Sequence, residues 1–190
     1  MLAKIATLLI DVVAAFFVYV LLARFHFQWL RVPFRNPIGE FVLAVTGWLV
    51  VPARRVVPSL GGLDLATLVL AWLVEAAGLW AIAALAGGGP GTAPGAGIAT
   101  LATVAALELV RLSLHILVFA VVVQAVLSWV QPYSPLQPIF DALTRPFLAP
   151  IRRFVPLLGG VDLSPLVLLV ALQILFIPLA ELRLYVLAQS

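Results

Sequence analysis

Glu75 stands about ten residues into an apolar run that begins at Leu65. At about 1.5 Å of rise per helical residue, that is roughly 15 Å along the run. If the run crosses a bilayer, this carboxylate lies near the midplane, where a charge costs about 2.5–3.5 kcal/mol on insertion scales. It must then face other helices and be protonated or paired, and the chemistry open to it is passage of protons or ions. Arg24, on a separate apolar run ending at Trp29, is about 7 Å from that end and long enough to reach toward Glu75. A Glu75–Arg24 pair that only fixes helix packing is the alternative. Gln173 and Gln124 occupy the corresponding places in the second half of the chain.

A second polar group contains Asp11, Glu108, Arg111 and His115. Asp11 and Arg111 are equally far from Trp29 and Trp129, so opposite charges on two helices are expected to meet. Glu108 and His115 each lie one helical turn from Arg111, which predicts a polar helix face near the end of the span. A structural clasp is the expected role, since groups at that depth also reach water.

The third group is a motif. PARRVVPSLGGLDLA, 52–66, recurs as PIRRFVPLLGGVDLS, 150–164. The shared residues include Arg54/Arg152, Arg55/Arg153, Pro58/Pro156, Gly61/Gly159, Gly62/Gly160 and Asp64/Asp162. Prolines are expected to stop the preceding helix and glycines to allow a tight turn. Asp64 and Asp162 stand where the following helices need an N-cap. The arginines are predicted to snorkel to phosphates, or to form a docking site for a partner or an anionic lipid.

The elements that position these groups follow from composition. The 190-residue chain is 64% hydrophobic and 10% charged, with a mean hydropathy of +1.20, whereas soluble domains are about 25% charged. Four stretches reach the roughly 20 residues that cross a hydrocarbon core: Ile5 to Leu30, Leu65 to Leu85, Leu101 to Val130 and Leu163 to Val186. The first, behind Lys4, lacks a small-residue cleavage site and reads as a retained span. The predicted fold is an all-α membrane protein of two tandem pseudo-symmetric repeats. Each has two spans with an interfacial amphipathic helix between them. The first repeat occupies 1–90 and the second 101–190, joined by a Gly/Pro connector at 91–100 within the run Gly87 to Gly97. An even number of crossings per repeat makes the repeats parallel.

Segments Ile38 to Val51 and Gln137 to Leu148 are too short to span and are placed on the membrane surface. In the second, Asp141, Thr144 and Arg145 oppose Ile139, Phe140, Leu143 and Phe147. Arg31, Arg35, Arg54, Arg55, Arg145, Arg152 and Arg153 lie on the motif side, against Lys4 and Arg183 on the other. By the positive-inside rule the motif loops are cytoplasmic and both termini lie outside.

With the Arg-Arg-x-x-Pro-x-x-Gly-Gly-x-Asp motif present twice, and with Trp29, Asn36-Pro37, Ser128-Trp129 and Ser134-Pro135 in place, the chain resembles the YggT/YlmG family of bacterial and plastid membrane proteins. That resemblance implies a four-helix protein of the bacterial cytoplasmic membrane without an established enzymatic activity. It also implies links to osmotic-stress tolerance and to cell-division gene neighbourhoods, and in plastid relatives to haem attachment and nucleoid organisation. The residues offer no haem or metal site: there is no cysteine, and His26 and His115 are unmatched. No cofactor is expected. No Ser-His-Asp set, Walker loop or His-Glu-x-x-His is found, so no enzyme is expected either. The expected partners are anionic lipid headgroups, a membrane or cytoplasmic protein, and further copies of the chain, with no direct contact to nucleic acid. Two functions remain open, a membrane scaffold or assembly factor and an ion or small-solute conduit.

Overall fold

The computed structural model describes residues 1–59, 62–85, 96–131, 133–155 and 162–189. Their regular structure is helical: α1 (Leu2–Trp29), α2 (Pro37–Ala53), α3 (Leu65–Leu85), α4 (Ala96–Val130), α5 (Gln137–Arg152) and α6 (Ser164–Ala188). Helices α1, α3, α4 and α6 are long and apolar enough to cross a membrane. Helix is the form such sequences require, because every backbone donor finds its acceptor within the segment.

The ends of the helices carry their own chemistry. At the close of α1, the Val32 N–H donates to the Phe27 carbonyl at 2.8 Å and the Arg31 N–H to Gln28 at 3.3 Å. Arg31 takes the left-handed position this closure needs, with φ at 55°. Asn36 caps α2 by accepting from the Gly39 N–H at 2.8 Å, with Pro37 supplying the pre-set first turn.

Two features differ from the sequence expectation. Helix α4 begins at Ala96, so the later part of the expected 91–100 connector is helical. Its last proline is Pro94, and beyond it every amide can donate. Pro52 lies inside α2, and Pro146 and Pro150 inside α5, while α2 ends at Ala53, ahead of the motif proline Pro58. A proline near a helix end forfeits one hydrogen bond and leaves the last turn intact. Arg54 and Arg153, one residue past each helix, are the C-caps. Thr144, expected on the polar face of α5, is fully buried. Its hydroxyl donates to the Phe140 carbonyl at 2.8 Å, which removes the cost of burial.

Helix α1 packs along α3, α4 packs against α6, and the α3–α4 contact joins the pairs. Helix α2 lies against α1 and α3, and α5 against α4 and α6. A Cβ on Gly78 would come within 2.9 Å of the Ala14 side chain, so α1 and α3 meet at small residues. One core gathers Val18, Leu21, Leu22, Val50, Ala71 and Leu109. A second joins Phe27, Val32, Ala120, Ile139, Phe140 and Leu143, and a third Val121, Leu148, Leu168 and Leu172.

Candidate functional site

Polar side chains group in two regions, within each motif and in the half of the bundle nearer the chain termini. In the first motif, Arg54 grips Asp64 with Nε at 3.3 Å and Nη2 at 2.5 Å. The same Nη2 donates to Gln28 at the end of α1 at 3.0 Å. Asp64 is buried and also accepts from the Thr67 hydroxyl and, at 3.4 Å, from the Thr67 N–H, the cap expected for α3. Burial pushes its carboxyl up, but hydrogen bonds from Arg54 and Thr67 and the Arg54 charge outweigh this and hold it below the ordinary carboxylate value.

The second motif is looser. Arg152 Nε donates to Asp162 at 2.8 Å, and Asp162 accepts from the Ser164 N–H at 2.9 Å. Burial again pushes the carboxyl up, and bonds from Ser164 and Arg152 with the Arg152 charge bring it below its ordinary value. The expectation that Asp162 is the N-cap is corrected: Leu163 holds that position. Pro165 stands where the first motif has Thr67 and has no amide to offer, so the aspartate turns to Ser164.

Arg55 and Arg153, the second arginine of each pair, are exposed and make no ion pair among the described residues. Pro58 precedes the turn, and Gly62 has φ at 85°, the positive backbone angle expected there. Gly61, Pro156, Gly159 and Gly160 lie outside the described residues.

The expected Arg24–Glu75 pair is not formed. Arg24 is buried and its Nη1 donates to the Thr46 hydroxyl of α2 at 2.7 Å, while that hydroxyl donates to the Val42 carbonyl at 2.6 Å. Arg24 sits at the level of α2, whose closer acceptor takes it, and Glu75 lies further along toward the termini. Gln124 likewise reaches a short helix, donating to Asp141 of α5 at 3.1 Å. His26 bonds through Nδ1 to the Leu22 carbonyl at 2.7 Å and packs between Phe25 and Trp29.

The second cluster centres on Glu108, which is buried. Arg111 approaches it from one turn along α4 at 3.2 Å. Arg183 of α6 closes to 2.7 Å as an ion pair. His115 Nδ1 bonds to the Arg111 carbonyl at 2.9 Å, and its ring lies 4.6 Å from that of Phe176. The clasp expected on α4 is therefore present, but Asp11 is not its partner: Arg111 turns to Glu108. Glu108 is the nearer carboxylate, one turn away on the same helix. Arg183 was missed as a partner because only the packing of α6 on α4 brings it to Glu108.

Two cavities share the Glu108, Arg111, His115 and Arg183 walls. One, of about 350 Å³, adds Asp11, Tyr19 and Glu75. The other, of about 480 Å³ between α4 and α6, adds Gln173 and Phe176. Among the described residues, no set of three or more His, Asp or Glu side chains is arranged to hold a metal ion.

Fold and polar groups together define a class: an all-helical protein with four helices long and apolar enough to cross a bilayer, arginine–aspartate pairs in both motifs, and a charged group around the buried Glu108. A family model described as CCB3/YggT matches residues 3–85 and 103–182, and the chain belongs to that family. It is 34% identical over 172 residues to an uncharacterized protein of Pseudomonas aeruginosa, covering 90% of this chain and 85% of that one. It is 32% identical over 180 residues to the uncharacterized protein YggT of Escherichia coli K12, covering 92% and 89%. A Vibrio alginolyticus protein encoded beside proC is 34% identical over 166 residues, 87% of this chain and 88% of its own. No solved structure matches the chain.

Proposed function

We propose that this protein is a non-enzymatic scaffold or assembly factor of the bacterial cytoplasmic membrane. In this reading two pseudo-symmetric halves place the motif loops on the cytoplasmic face, both termini lie outside, and α2 and α5 rest in the interface. The observation that carries it is the division of labour within each arginine pair. Arg54 and Arg152 are tied to aspartates that close their own loops, while Arg55 and Arg153 stay exposed to meet lipid phosphates or an acidic partner surface. The test is native mass spectrometry of protein extracted with phosphatidylglycerol. Arg55→Ala/Arg153→Ala is expected to retain less anionic lipid than the parent at unchanged thermal stability. Equal retention removes the lipid as the ligand and leaves in-cell crosslinking from residue 55 to test a protein partner.

The charged cavities favour a second reading, an ion or small-solute conduit or regulator acting in osmotic stress. Flux measured in proteoliposomes decides it: Glu75→Gln abolishes flux in a conduit, whereas a scaffold supports no flux above empty vesicles.

A further inference from the structure

The smaller charged cavity has a definite extent along the bundle. On α1 its walls run from Asp11 to Tyr19 and on α3 from Ile82 down to Glu75. Measured from Trp29 and from Leu65, these residues rise about 27 to 15 Å and about 25 to 15 Å. The cavity therefore runs from the terminus-side boundary of a roughly 30 Å hydrocarbon layer to its middle. Directly beyond it, toward the motif loops, Val18, Leu21, Leu22 and Ala71 join Val50 and Leu109 in a closed apolar core. Glu75 is the deepest polar group of the α3 wall, level with Tyr19 on α1, and the next turn of α3 in that direction, at Ala71, is completely buried.

Such walls cannot be wetted by acyl chains, since each charge left against hydrocarbon costs about 2.5–3.5 kcal/mol. Asp11 and Arg111 are exposed to the space rather than sealed by neighbouring side chains. Both arginines of the wall are directed to Glu108. Asp11 and Glu75 make no ion pair or hydrogen bond among the described residues; the wall then sets three carboxyls, Asp11, Glu75 and Glu108, against the guanidiniums of Arg111 and Arg183, and its formal balance is negative when water in the cavity keeps Glu75 ionised.

We propose that this cavity is a water-filled vestibule, open only on the terminus side, that admits small hydrophilic cations as far as Glu75 and ends on the apolar core. It goes beyond both functional readings: a scaffold would hold it as a one-sided aqueous pocket, and a conduit would have to breach the Leu21, Leu22 and Ala71 seal to complete a path.

The chain has no cysteine, so single introduced thiols can be probed without background. Ile82→Cys, Leu79→Cys, Glu75→Cys and Ala71→Cys sample successive levels of α3, and Leu73→Cys, on an exposed outer position of the same helix, reports the lipid-facing side. Membrane-impermeant methanethiosulfonates, one cationic and one anionic, are applied to vesicles of each orientation. Ile82→Cys and Leu79→Cys are expected to react from the terminus side several-fold faster than Leu73→Cys, while Ala71→Cys stays silent from both sides. At Leu79→Cys, which keeps both carboxylates, the cationic reagent is expected to lead the anionic one by roughly tenfold, the lower end of charge focusing in a cleft. If Glu75→Cys fails to fold, the Leu79 and Ile82 variants carry the test unchanged. The proposal is overturned if Leu79→Cys reacts no faster than Leu73→Cys, as it would with the cleft covered by a second copy or by lipid. Equal reaction from the two sides, or an anionic reagent as fast as the cationic one, overturns it as well.

Discussion

Asp64→Ala tests whether the first motif loop is held by a buried carboxylate and the second by a wet one. Asp64 is 1% exposed, whereas Asp162 is 29% exposed. Removing Asp64 deletes the cap of α3, worth about 1 kcal/mol, and strands the buried Thr67 donors at about 1–3 kcal/mol. The Arg54 term must be discounted, because its side chain is 43% exposed and water replaces the lost partner, leaving about 0–1 kcal/mol. The total is about 2–5 kcal/mol. Asp162→Ala removes an exposed pair, about 0–1 kcal/mol, and a part-buried hydrogen bond from the Ser164 N–H, about 1 kcal/mol, for a total of about 1–2 kcal/mol. Thermal unfolding in detergent micelles, followed by circular dichroism, compares both variants with the parent. Acid adds an independent reading. Both carboxyls are held below their ordinary value of 3.8, so their stabilisation is fully present above about pH 4 and is lost as pH falls through the lowered folded value. The parent should lose stability on acidification below pH 4 more steeply than Asp64→Asn. Equal losses for the two alanine variants, or parallel acid profiles for parent and Asp64→Asn, would refute the reasoning.

Three further outcomes follow from single contacts. Thr46→Val leaves the Arg24 guanidinium without its hydroxyl acceptor and should cost about 1–3 kcal/mol of stability, with a double-mutant cycle to Arg24→Met revealing coupling between the sites. Gly39→Ala drives a Cβ to 2.5 Å from the Phe34 carbonyl oxygen; a loss of about 1–3 kcal/mol is expected from such overpacking, read as a lowered melting temperature. Arg31→Gly relieves a left-handed arginine and should raise the stability of the protein in micelles by about 1 kcal/mol, while Arg31→Ala should not.

Much of the architecture was legible because the bilayer imposes a length and a polarity on each crossing. The spans beginning at Leu65 and ending at Val130 can be read from apolar runs alone, and so can a short helix beginning at Gln137. The pairing of Arg54 with Asp64 was only half legible. The repeated motif marked both residues, and the cap is a local matter of Asp64 and Thr67, but the grip of the guanidinium depends on how the loop folds back. Pro165 illustrates the reverse: a one-residue change readable in the sequence shifts the cap at α6, and repeat matching alone conceals it.

The charged interior was decided by packing. Sequence determined that Glu75, Glu108, Arg111 and Arg183 lie in apolar runs and therefore must find polar company. Which company is a question of helix stagger and rotation, set by contacts such as that of Ala14 against Gly78. These are apolar contacts with no signature in the spacing of charges. They turn Arg24 to Thr46, bring Arg183 to Glu108, and leave Asp11 and Glu75 facing a common cavity. Apolar periodicity specifies that a helix forms and how long it is; only the three-dimensional fit of small residues determines which polar side chains end on the same level.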